Sequence, residues 1–230
     1  MSRQLNSGSN DYISTLNSSF QLQNARRLPK ENPIEEVELS YREHMQGPLS
    51  QARQIEEADI VVGIPFYNET DGIVHVLETA VRGLEEFYPN SKCVILAVGS
   101  PVGGEALAII NALPQDKRIR RMAFMFDDER INGKGWSVRA ITEITQTLGA
   151  DLVVLEADLE SRNVNGEIEG LAPDWIGLLL EPIKMQVADM VISRFESHYF
   201  EAPISTLVTA PLLTAVYDCP IHRLVGGQWG

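Results

Sequence analysis

The segment Leu155-Glu156-Ala157-Asp158-Leu159-Glu160 sets three acids at alternating positions directly after the apolar run Asp151-Leu152-Val153-Val154-Leu155. Side chains alternate along an extended chain, so Glu156 and Asp158 share one side. Paired carboxylates at the end of a buried strand repel each other unless a cation lies between them. A hard divalent ion, Mg²⁺ or Mn²⁺, does this with oxygen ligands from one or two carboxylates plus substrate phosphates. An exposed acidic loop fits the same residues in so acidic a chain.

Two further loops have residue types suited to a phosphorylated ligand. In Asn132-Gly133-Lys134-Gly135-Trp136, two glycines flank a lysine just before a helical pattern. A helix N-terminus offers unpaired N–H groups and partial positive charge, glycines let a phosphate approach the backbone, and Lys134 adds a full charge. The spacing is not that of a Walker A loop, and a tight turn with a solvated lysine is the plainer alternative. In Pro65-Phe66-Tyr67-Asn68-Glu69, Pro65 ends an apolar run and the chain turns before a helix that begins near Asp71. Asn68 and Glu69 then lie in a loop, where simple turn and N-cap chemistry also suits them.

These loops need elements to position them. Asp59–Pro65, 92–98, 119–126, Asp151–Leu155 and Asp189–Ser193 read as five strands, each a short apolar run. Between them, Val74, Leu77, Val81, Leu84 and Tyr88 recur at helical spacing over 71–88. Helices are also expected at 103–113, 135–148 and 173–187. Alternating strands and helices predict an α/β fold, a mostly parallel sheet with helices on both faces. Ligands of such sheets bind just beyond the carboxyl ends of the strands, where all three loops fall.

The rest of the chain bounds the function. Residues 1–57 read as a polar N-terminal tail followed by a solvated helix over 34–57, which Gly47-Pro48 should interrupt. The α/β domain occupies 58–230. The formal net charge of -13 disfavours nucleic acid and anionic lipid as partners. Cys93 and Cys219 are too few for a disulfide framework, and Cys93 reads as a buried thiol. The polar start has no signal-peptide core, and no apolar run reaches about 18 residues, so no membrane span and a cytoplasmic location are expected.

The order of the three loops resembles the family 2-like glycosyltransferases of GT-A (Rossmann-like) fold. The segments Ser193-Arg194-Phe195, Ser205-Thr206-Leu207-Val208-Thr209-Ala210-Pro211-Leu212-Leu213 and Leu224-Val225-Gly226-Gly227-Gln228-Trp229-Gly230 are similar to the glucosyl-3-phosphoglycerate synthase and mannosylglycerate synthase type. That resemblance implies transfer of a sugar from a nucleoside-diphosphate sugar to a small glycerate-like anionic acceptor, metal-dependent and with retention. It implies donor contacts at Pro65, Tyr67, Asn68, Glu69, Gly133, Lys134, Glu156 and Ala157, a catalytic metal contact at Asp158, and acceptor contacts at Arg194, Ser205 and Thr206. It also implies a homodimer.

The chain departs from the family pattern at several points. Glu156 replaces the first Asp of the metal motif. Val98-Gly99-Ser100-Pro101 stands where relatives carry an acid after strand two, and Ala210 replaces an Arg. The family's further metal-binding histidine lies downstream of the Gly-Gly segment, beyond Gly230, which leaves His222 as the candidate, although a loop histidine has ordinary surface readings too. Arg194 also suits a strand-end ion pair with Glu196. Two other functions stay open. A sugar-phosphate nucleotidyltransferase needs a Gly-rich basic loop after strand one, and Phe66-Tyr67-Asn68-Glu69 is neither. A shortened, non-catalytic nucleotide-sugar-binding relative fits the short segment after the acceptor-like loop.

Overall fold

The apolar run starting at Ile60 forms β1 (Ile60–Phe66), buried at all seven positions, and β2 (Cys93–Gly99) is buried along its whole length as well. Strands covered on both faces need such continuous runs. In the computed structural model, which describes residues 33–114, 118–162, 168–193, 205–217 and 229–230, these two strands are the middle of a four-stranded sheet. β3 (Ile119–Met125) pairs with β2, and β4 (Asp151–Val154) pairs with β1. All three pairings are parallel and the order is β3-β2-β1-β4. A short antiparallel pair, β5 (Glu160–Arg162) with β6 (Ile168–Gly170), follows.

Six α-helices are described: α1 (Pro33–Ile55), α2 (Gly72–Phe87), α3 (Gly104–Ala112), α4 (Lys134–Leu148), α5 (Asp174–Lys184) and α6 (Ala210–Tyr217), the last preceded by a π-helical turn, Ser205–Thr209. Alternate residues of β1 face opposite layers. Ile60, Val62 and Ile64 join Ile73, Val76 and Leu77 of α2 and Ile176, Leu179 and Leu180 of α5 in one buried cluster. Gly63 points to the other face, where any side chain would collide with Ile141 of α4. The expected parallel α/β sheet with helices on both faces is therefore present. Each of these fully buried aliphatic side chains contributes about 1.5–3 kcal/mol relative to exposure.

Three expectations need correction. Gly47-Pro48 does not interrupt α1, which runs unbroken through Pro48. Nor is that helix simply solvated: contacts divide the chain after Ser40, and within Tyr41–Gly230 the side chains of Tyr41, Met45 and Ala52 are buried. Their spacing of four and seven residues gives one apolar stripe. Its burial offsets the backbone hydrogen bond that Pro48 forfeits, a cost of about 3 kcal/mol. Asp189–Ser193 is not a strand either. Only Ile192 bridges, to Trp229, and Trp229 also bridges Val154 of β4. The outer edge of β4 is thus taken by Trp229, whose N–H and carbonyl both pair with Val154.

Burial pushes the Cys93 thiol up to about 11, with the Asp59 charge adding to the effect. At pH 8 that leaves a thiolate fraction of roughly one in a thousand. In a Cys219→Ser background, Cys93 should therefore react with a disulfide reagent about 100-fold more slowly in native protein than after denaturation. Rates within a few-fold of each other would contradict its burial. Among the described residues no helix is long and apolar enough to cross a membrane.

Candidate functional site

The strand order reverses between β1 and β4, since β2 and β3 extend the sheet on one side of β1 and β4 on the other. A crevice at the carboxyl ends is expected at that switch point. A cavity of about 140 Å³ lies there, lined by Pro65, Phe66, Tyr67, Glu69, Ser100, Lys134, Glu156, Ala157 and Asp158. The ends of β1, β2 and β4 and the start of α4 thus converge on one place.

Local chemistry explains each wall. The carboxylate of Glu69 folds back on its own loop and accepts the Tyr67 N–H at 2.6 Å, leaving the Tyr67 ring about half exposed. The buried Ser100 ties three loops together: its N–H donates to Phe66 at 3.2 Å, its carbonyl accepts from Gly103 at 2.9 Å, and its Oγ accepts from Gly133 at 3.3 Å. Gly133 caps α4 with φ +104° and ψ 159°, a conformation open essentially to glycine alone. No side chain caps α4 and no acid lies in its first turn; the Trp136 N–H donates to the Gly133 carbonyl at 3.1 Å, and the positive end of the helix faces an approaching anion without a competing carboxylate in that turn.

The acidic segment keeps its alternation past β4. Ala157 is buried between the partly exposed Glu156 and the exposed Asp158. Leu155 anchors the turn by donating its N–H to Gly63 at 3.0 Å. Lys134 reaches across and pairs with Glu156 through Nζ and Oε1. Just beyond β3, His44 of α1 pairs with Asp127, and its hydrogen bond and charge hold the Asp127 carboxyl below the usual range. Arg130 clamps the Asp128 carboxylate from Nε and Nη2, the latter at 2.7 Å.

Among the described residues no group of three or more His, Cys, Asp or Glu could hold a metal ion. The donor set at the cavity is Asp158 with Glu156 beside it. Two carboxylates do not make an all-protein cage, but they fit a hard cation that keeps waters and shares its remaining positions with phosphate oxygens.

Of the expected site residues, Pro65, Tyr67, Glu69, Lys134, Glu156, Ala157 and Asp158 share the cavity, and Gly133 joins it through Ser100. Asn68 is exposed in the same loop and does not line the cavity. Arg194 and His222 lie outside the described residues, as do the side chains of Ser205 and Thr206. Sequence reasoning missed Ser100 and Phe66 as site residues. The signal for Ser100 was its place immediately after β2, an end that a parallel sheet must bring beside that of β1.

A larger cavity of about 520 Å³ lies toward the amino ends of β2 and β3, lined by Leu77, Val81, Ile95, Leu113 and Ile119 with Glu78, Arg82 and Arg121. Its arginines already serve structure: Arg121 donates to the Leu113 carbonyl at 2.5 Å and Arg82 to Thr79 Oγ1 at 3.1 Å. Size alone does not make it the chemical site.

No family model matches the chain, and no curated protein matches it significantly. Among solved structures, the chain is similar to glucosyl-3-phosphoglycerate synthase from Mycobacterium tuberculosis in complex with Mn²⁺, uridine diphosphate and phosphoglyceric acid. The identity is 18%, with 80% of this chain and 58% of that chain covered and a TM-score of 0.48. The same enzyme with Mn²⁺, uridine diphosphate and glucosyl-3-phosphoglycerate gives 17%, 80%, 59% and 0.49. With Mn²⁺, UDP-glucose and glycerol 3-phosphate it gives 17%, 80%, 59% and 0.48. The chain spans 58–59% of the length of these structures.

Proposed function

We propose that this chain is the donor-binding part of a metal-dependent glycosyltransferase. It would move a sugar from a nucleoside-diphosphate sugar to a small glycerate-like acceptor, with retention of configuration. The observation that carries the reading is the convergence of the Pro65–Glu69 loop, Lys134 and the Glu156–Asp158 turn on one cavity at the switch point. The order of these motifs along the chain, similar to that of GT-A glycosyltransferases, supports it independently.

Asp158 would hold a Mg²⁺ or Mn²⁺ ion, with Glu156 beside it. When bound, that ion supplies Lewis-acid neutralisation of the diphosphate leaving group. Lys134 and the N–H groups at the start of α4 add fixed positive charge on the same side. The exposed face of Tyr67 suits a stacked base, and Asn68 and Glu69 lie in the same loop. Arg194, Ser205 and Thr206 are the proposed acceptor contacts, through charge-assisted hydrogen bonds to a small anion, and His222 a proposed further metal contact. A pair of chains is the proposed assembly.

The test is turnover. With Mn²⁺, UDP-glucose or GDP-mannose, and glycerate or 3-phosphoglycerate, acceptor-dependent release of the nucleoside diphosphate is expected. Pyrophosphate release from a nucleoside triphosphate and a sugar phosphate would instead identify a nucleotidyltransferase. Donor binding with no transfer to any such acceptor would overturn the catalytic part of the proposal.

A further inference from the structure

The Lys134–Glu156 ion pair joins two residues 22 positions apart in the chain, both of which line the cavity. It engages both groups that the ligands need. Lys134 is the cation placed for a diphosphate, and Glu156 is one of two carboxylates placed for a metal. The side chains are 47% and 31% exposed, so the pair separates at small cost. Glu69, the third carboxylate lining the cavity, is turned to the Tyr67 N–H.

Each ligand alone therefore meets a compromised site. A free divalent cation finds Asp158, but Glu156 is already neutralised and Lys134 repels the newcomer. A free nucleoside diphosphate finds Lys134 already paired and faces the charges of Glu156 and Asp158. Together the two ligands exchange partners with the pair: Lys134 turns to diphosphate oxygens while Glu156 turns to the cation. We infer that Lys134 and Glu156 form a charge latch that makes nucleoside diphosphate and divalent cation bind cooperatively, with Glu156 as the positioning residue for Lys134. This inference rests on the donor-site reading above. The coupling is reciprocal, as linkage requires: whatever diphosphate gains from the cation, the cation gains from diphosphate.

The experiment is a double-mutant cycle read by calorimetry, with UDP in EDTA and Mn²⁺ without nucleotide as separate arms. Glu156→Gln should tighten metal-free UDP binding about two- to five-fold, the range that partly exposed ion pairs cover. Lys134→Met should tighten Mn²⁺ binding without nucleotide by a similar factor and weaken UDP binding. A plain change of net charge would act additively. The latch instead requires that the gain from Glu156→Gln vanish in the Lys134→Met background. An equal gain in both backgrounds, or none in either, overturns the latch while the donor site stands. Wild-type protein that binds neither UDP nor GDP in the presence of Mn²⁺ overturns the donor site and the latch together.

Discussion

Asp158→Ala should abolish Mn²⁺-dependent binding of a nucleoside diphosphate, weakening it at least about 100-fold, or about 2.8 kcal/mol. Asp158 is exposed on the turn after β4, lines the cavity, and follows a buried Ala157 that fixes the direction of the turn. Among the described residues, its removal leaves Glu156, already paired with Lys134, and Glu69, already turned to the Tyr67 N–H, as the carboxylates lining the cavity. A hard cation shared with phosphate thereby loses a protein anchor. Because Asp158 is exposed, the variant should fold with a stability within about 0.5 kcal/mol of wild type. Unchanged calorimetric affinity in Mn²⁺ would remove Asp158 from the site. Asp158→Asn, which keeps the shape and loses the charge, should behave like the alanine variant.

Tyr41→Ala should destabilise the fold by about 3–4 kcal/mol, the range for a large aromatic lost from a core. The Tyr41 ring is 1% exposed and lies 5.7 Å from the Phe126 ring and 5.2 Å from the Trp136 ring. The Arg139 guanidinium stacks over it at 4.1 Å. For a chain of this size the thermal midpoint should fall by roughly 6–15 °C. Trp136 and Arg139 belong to α4, whose first turn presents Lys134, so nucleotide affinity should fall as well. A thermal midpoint within 2 °C of wild type would show that α1 is dispensable to the core.

The strands were legible because β1, β2 and β4 are short apolar runs, the pattern expected of strands covered on both faces. Gly133 marked the start of α4 for an equally local reason, its glycine-only backbone conformation, whereas Pro65 lies inside β1, which continues to Phe66. What escaped was decided by tertiary context. Tyr41, Met45 and Ala52 sit within a Glu- and Arg-rich segment that also contains Gly47-Pro48, so local propensity argued against the one stripe that packing selects. Met190 and Ile192 read as strand residues, yet they are 56% and 38% exposed, and only a single bridge forms because Trp229 reaches β4 from far along the chain. In the sequence Ser100 stands only as a departure from an acidic position. Its role as a clasp between Phe66 and Gly133 depends on sheet order, which no single segment encodes.

The most direct test of the donor site is calorimetric titration of the wild-type chain with UDP and GDP, each in Mn²⁺ and in EDTA. Binding of at least one nucleotide in Mn²⁺, at least about 100-fold weaker in EDTA, is the expected result. No binding in Mn²⁺, or equal affinity in the two conditions, would contradict a metal-assisted diphosphate site at Asp158.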